Sequence, residues 1–114
     1  MTTFRRGEVV YVPFRFTERD TKSKNRPAVV VSSAAYQDSR QDVVIAGITS
    51  NVEREGFVGQ VALGDWQACG LVKPSAISGI IMTVRDSIIG RRVGALSRDD
   101  QTRLDTALRQ VFDL

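Results

Sequence analysis

Arg26-Pro27-Ala28-Val29-Val30-Val31-Ser32 is the stretch that decides the fold class. Pro27 holds Arg26 in extended backbone, and the β-branched run behind it packs better on a pleated sheet than on a helix. The strand read here begins beside Arg26 and ends at Ser33 and the alanine pair Ala34 and Ala35. Upstream, Gly7 leads into Glu8-Val9-Val10-Tyr11-Val12, a second β-rich run that stops at Pro13, because proline has no N–H to give a central ladder. Between the two, Thr17 to Asn25 is polar and charged without apolar period, and reads as a long loop.

Downstream, Asp42 opens a continuous apolar run, Val43 through Ile48, closed by Thr49 and Ser50. Such a run without alternation predicts a strand buried on both faces. Phe57 through Leu63 alternates well enough for a fourth strand closed by Gly64 and Asp65, and Leu71 to Val84 holds two further β-like runs around Ser78 and Gly79. Ile88 and Ile89 lead through Gly90 to a short Arg91-Arg92-Val93 segment. Ser97 stands three residues before Asp100, an approximate capping box, and Leu104, Leu108 and Val111 recur at helical spacing, so the last segment is an amphipathic helix. Several short strands with one terminal helix predict a mainly β (α+β) fold. The form expected is a small SH3-like β-barrel with a C-terminal α-helix, in which closure hides the strand edges.

With 114 residues and 42% hydrophobic content, the chain is read as one domain over residues 1–114. No apolar stretch approaches the roughly 18 residues that span a bilayer, and no secretory signal is read, so no membrane partner is expected and a cytoplasmic location is. Cys69 is the only cysteine and there is no histidine, which leaves no plausible ligand set for zinc; no cofactor is expected. Without imidazole, acid–base chemistry near neutral pH falls to carboxylates, hydroxyls, amines, guanidinium groups or the substrate itself. The net charge is +3, and Arg15, Arg19, Lys22, Lys24 and Arg26 crowd one segment, a local positive field suited to a nucleic acid or an acidic protein.

The ordered blocks Arg6-Gly7-Glu8-Val9-Val10, Arg26-Pro27-Ala28-Val29-Val30-Val31-Ser32 and Ile48-Thr49-Ser50 resemble the MazF/PemK family of toxins. Gly70-Leu71-Val72-Lys73-Pro74-Ser75 and Ile89-Gly90-Arg91-Arg92-Val93-Gly94-Ala95-Leu96-Ser97 look like that family's later blocks, in the same order. The resemblance implies an SH3-like barrel that forms a homodimer, cuts single-stranded RNA at short sequences, arrests growth and is silenced by a cognate antitoxin. It also implies that Arg26 is the catalytic arginine and that Thr49 acts with it.

The residues suit that chemistry. RNA carries its own nucleophile, the 2′-hydroxyl, and a guanidinium presents a planar fork of donors matched to phosphate oxygens. Thr49, at the end of an expected buried strand, can aim a hydroxyl at the same phosphate. Phe14 and Phe16 flank Arg15, an interleaving that can stack bases, although core packing is the plainer reading of both rings. Phe14, Arg15, Asn25, Ser50, Lys73 and Ser75 complete the expected RNA-contacting set, with Glu18 and Asp20 as the candidate acid–base pair. Lys73 and Ser75 stand where some branches of the family place an arginine and an acid, so no carboxylate base is secured there. Trp66 is expected at the barrel or dimer surface and Cys69 to be passive. An acidic, disordered antitoxin tail that folds on binding would fit a basic groove. Two rival functions share the barrel: a DNA-gyrase poison and a noncatalytic SH3-like binding module.

Overall fold

The computed structural model describes residues 3–14, 24–53 and 56–114. Its strands are β1 (Glu8–Phe14), β2 (Lys24–Val30), β3 (Asp42–Thr49), β4 (Val61–Ala62), β5 (Ala76–Arg85) and β6 (Arg92–Ala95). Helix α1 (Ala34–Arg40) joins β2 to β3, and α2 (Arg98–Phe112) follows β6. Among the described residues the strands form one six-stranded sheet in the order β4-β5-β3-β2-β1-β6, with every pairing antiparallel. The sheet curls into a half-barrel, the mainly β architecture with a terminal helix that the sequence predicts.

The central strands are apolar on both faces because each face has its own core. Val9, Val29, Ala46 and Ile48 pack with Leu104 and Ala107 of α2. Their chain neighbours Val10, Val30 and Ile45, with Val12, Ala28 and Val43, pack on the other face with Phe4 and Val84. Alternate residues thus enter opposite cores, which is why the run Val43–Ile48 shows no polar alternation.

Several boundaries differ from the sequence reading, each for a local reason. β1 continues through Pro13 to Phe14. Tyr11 exchanges backbone hydrogen bonds with Arg91 and Gly90 on the β6 side. Pro13 points the same way, past the last β1–β6 register pair, so its missing N–H costs the ladder nothing. β2 starts at Lys24, ahead of Arg26. α1 was not read from the sequence: seven residues are too few to show a helical period. It is fixed by Ser33, whose hydroxyl accepts from the Tyr36 N–H at 3.1 Å, and by the left-handed Gln41 at φ 61°.

The strand expected over Phe57–Leu63 shrinks to Val61–Ala62, because Phe57 to Gln60 closes a turn through Gln60 N–H to Phe57 carbonyl at 3.1 Å. Conversely, the two runs expected between Leu71 and Val84 are one strand, β5, beginning only at Ala76. Gly79 does not break it. At φ +84° it forms a bulge, so Ile48 pairs with Ile77 while Ala46 pairs with Ile81. Asp86–Ile88 is a single 3-10 turn.

α2 matches its expected start and apolar spacing, and Ser97 accepts the Asp100 N–H at 3.2 Å. The Asp100 side chain does not return the bond as a capping box would. It is fully buried and accepts the Gly64 and Asp65 N–H groups, each at 3.0 Å, with the Arg103 guanidinium beside it. Burial by itself would raise the Asp100 pKa. The two backbone donors and Arg103 outweigh it and hold the carboxyl below its ordinary value. Its folded pKa being lower than its unfolded one, the stability it contributes is complete above the ordinary carboxylate range and is lost as pH falls through the folded value. The melting temperature is therefore expected to hold from neutral pH down to about pH 5 and to drop below about pH 4, as followed by circular dichroism.

Candidate functional site

The site begins with a hydrogen bond that cannot form. The Val31 N–H donates to the Val44 carbonyl at 2.9 Å, so Val31 turns its backbone toward β3. Backbone polar groups alternate sides along a strand, and Val29 and Pro27 therefore point the same way. Pro27 has no N–H to continue the ladder, and the β2–β3 pairs end at Ala28 opposite Gly47. Beyond that pair, Asn25, Arg26 and Pro27 on one strand and Ile48, Thr49 and Ser50 on the other wall a cavity of about 310 Å³. Arg26 from the β2 side and Thr49 from the end of β3 both line this cavity.

The remaining wall comes from Tyr11 on β1 and from Leu71, Val72, Lys73 and Ser75, which precede β5. Among the described residues, the lining holds two cations, Arg26 and Lys73, and no carboxylate. The described lining is thus positive by charge and also carries the hydroxyl and amide groups of Thr49, Ser50, Ser75 and Asn25. Thr49 Oγ1 accepts the Asn51 N–H at 3.1 Å, which orients the hydroxyl and leaves its proton for a ligand. Ser75 differs: it is buried, and its hydroxyl donates to the Lys73 carbonyl at 2.9 Å, so its proton is already committed.

The structure therefore brings Asn25, Arg26, Thr49, Ser50, Lys73 and Ser75 to one cavity. Phe14 ends β1 opposite Lys24. Arg15, Phe16, Glu18, Arg19, Asp20 and Lys22 lie outside the described residues. Tyr11, Leu71 and Val72 were missed. Tyr11 reaches the cavity through its place opposite Pro27 in the β1–β2 register, and Arg91 sits 5.4 Å from its ring centre. The only sequence signal for Tyr11 was an aromatic two residues before Pro13. Trp66 is half-buried against the α2-facing core and is not part of the cavity lining.

A family profile described as PemK-like, MazF-like toxin of type II toxin-antitoxin systems matches residues 5–112. The chain belongs to that family. No protein of curated function matches its sequence. Solved structures carry the same fold. MazF from Deinococcus radiodurans superposes with a TM-score of 0.75 at 19% identity, covering 100% of each chain. An endoribonuclease from a mycobacterial species, in complex with its cognate antitoxin, gives 0.74 at 20% identity over 100% of this chain and 97% of the other. The Mycobacterium tuberculosis toxin MazF-mt6 gives 0.74 at 23% identity over 94% and 97%.

In this MazF-like toxin the wall carrying Lys73 is docked onto β6 at Gly94, where any Cβ would run into the Cys69 carbonyl. Cys69 itself is fully buried, and its thiol donates to the Asp65 carbonyl at 3.3 Å. Burial, then the charges of Asp100 and Asp65, push its pKa up, so the nucleophilic thiolate is suppressed. Native protein is expected to resist iodoacetamide and to react at Cys69 only after denaturation, as read by intact mass.

Proposed function

We propose that this toxin is an endoribonuclease that cuts single-stranded RNA at the cavity between β2 and β3, without a metal ion. The observation that carries the reading is that Arg26, Thr49 and Lys73 line one cavity, with no carboxylate in the described lining. A phosphodiester is the ligand that matches this set: it is anionic, tetrahedral and rich in acceptors. Relatives that share the fold add weight: they include endoribonucleases, one of them in complex with its cognate antitoxin.

In the reaction, the substrate's 2′-oxygen attacks the adjacent phosphorus. The O2′–P bond forms, the P–O5′ bond breaks, one proton leaves the 2′-hydroxyl and one is delivered to O5′. Arg26 meets the charge that grows on the nonbridging oxygens of the phosphorane. Thr49 donates its hydroxyl proton as a hydrogen bond to the same group, its oxygen held by the Asn51 N–H. Lys73, with Asn25 and Ser50, holds the flanking phosphates and bases; Phe14 and Arg15 are assigned to the same strand contact. Glu18 and Asp20, between β1 and β2 in the chain, are the assigned proton carriers.

The working form is a two-fold homodimer whose interface extends the groove for an extended strand, and the cognate antitoxin silences it by laying an acidic segment along that groove. Arg26→Ala and Thr49→Ala are each expected to lower cleavage of a single-stranded RNA about 100- to 1000-fold, roughly 3 to 4 kcal/mol, with unchanged circular dichroism. Gel assays run with excess chelator check this. Full cleavage by either folded variant refutes the assignment. Intact RNA together with double-strand DNA breaks after induction would move the toxin to the gyrase-poison reading.

A further inference from the structure

The wall that brings Lys73 to the cavity is a single loop, from Leu63 to Ser75, whose ends are tied by the Leu63 N–H donating to the Ser75 carbonyl at 3.1 Å. Its first half is coiled on itself: the Cys69 N–H donates to the Asp65 carbonyl at 3.3 Å and the Leu71 N–H to the Trp66 carbonyl at 3.2 Å. Its second half is the part that lines the cavity. The coil hangs from α2, which contributes nothing to the cavity wall. One Asp100 carboxylate oxygen takes the Gly64 N–H and the other takes the Asp65 N–H, each at 3.0 Å. Asp100 has 0% exposure, and its own N–H is fixed by the Ser97 hydroxyl. A buried carboxylate gripping two successive amides fixes the height and the tilt of both peptide planes, because each oxygen accepts near its lone-pair directions.

We infer that Asp100 is a positioning residue for the nucleic-acid cavity: through the Gly64–Asp65 backbone it sets where Lys73 stands relative to Arg26 and Thr49. The inference rests on the ribonuclease reading above. Asp100 touches no substrate. It fixes one end of a coil whose other end, at Leu71, begins the cavity wall. A loosened coil lets Lys73 drift from the strand it holds, while Arg26 and Thr49, carried by β2 and β3, keep their places. Binding that is equal in the ground and transition states is what such drift removes, so the effect falls on KM and spares kcat.

Asp100→Asn replaces one acceptor by an amide N–H that faces a backbone N–H. It is expected to raise KM for a single-stranded RNA about tenfold and to leave kcat within about twofold. Trp66 is the only tryptophan and follows Asp65 directly, so its emission should shift to the red in the same variant. Ser97→Ala is the control: it weakens the same helix start but leaves the carboxylate on the loop, and it should keep the wild-type KM and emission. Asp100→Glu, which retains the charge and displaces the carboxylate by one carbon, should raise KM less than Asp100→Asn.

A folded Asp100→Asn with wild-type KM overturns the inference, and so does a Ser97→Ala that raises KM equally. Failure of both Asp100 variants to reach the wild-type helical signal overturns it too, because Asp100 would then be a requirement of the fold alone. A wild-type toxin that binds but does not cut RNA defeats the ribonuclease reading instead, and the same variants are then compared by their affinity for a fluorescent RNA.

Discussion

Pro27 withholds one N–H from the centre of the sheet, and the functional geometry follows from that omission. A residue with a donor at this position would let β2 and β3 zip onward past Ala28 and Gly47, closing the space that Arg26 and Thr49 now border. The same proline holds Arg26 in extended backbone, so its side chain leaves the sheet in a fixed direction. The two strands are anchored just behind this point by Val29, Val30, Ile45 and Ala46, all essentially without exposure. The cavity is thus a controlled parting of two well-packed strands and needs no separate loop to create it. Rigid strands are better supports than loops for groups that must meet a reacting phosphate.

The strand carrying Arg26 and the strand ending at Thr49 were both legible in the sequence, because β-branched runs punctuated by Pro27 and by the Thr49–Ser50 pair declare themselves locally. Their juxtaposition was not legible from pattern; it came from the resemblance of Arg26-Pro27 and Ile48-Thr49-Ser50 to a family. What escaped was whatever depends on contacts between distant segments. α1 is too short to show a period, and Phe57–Val58 alternates like a strand but enters a turn closed by the Gln60 N–H on the Phe57 carbonyl. Gly79 looked like a break and is a bulge, since a positive φ can be absorbed inside a paired strand.

Asp100 illustrates the same limit at one residue. Its spacing from Ser97 suggests a local cap, and half of that is present: Ser97 does accept the Asp100 N–H. The carboxylate goes elsewhere, to amides 35 and 36 residues away in the chain. A buried charge of this kind is costly unless fully bonded, and here each oxygen has a backbone donor while Arg103 supplies the countercharge. The bond set joins α2, which packs on one core, to a loop that faces the cavity. Helix and site are therefore mechanically connected although no helix residue lines the site.

The absence of histidine from the whole chain narrows how a phosphodiester could be broken here. The chemistry proposed relies on the substrate to supply its nucleophile, with Arg26 and Thr49 stabilising the charge that results. The end groups of the cut RNA report this directly. After incubation of purified toxin with a long single-stranded RNA and excess chelator, mass spectrometry of the fragments should find a 2′,3′-cyclic phosphate or a 3′-phosphate on the upstream piece and a 5′-hydroxyl on the downstream one. A 5′-phosphate with a free 3′-hydroxyl would mean that water or another external group attacked, and would contradict the account.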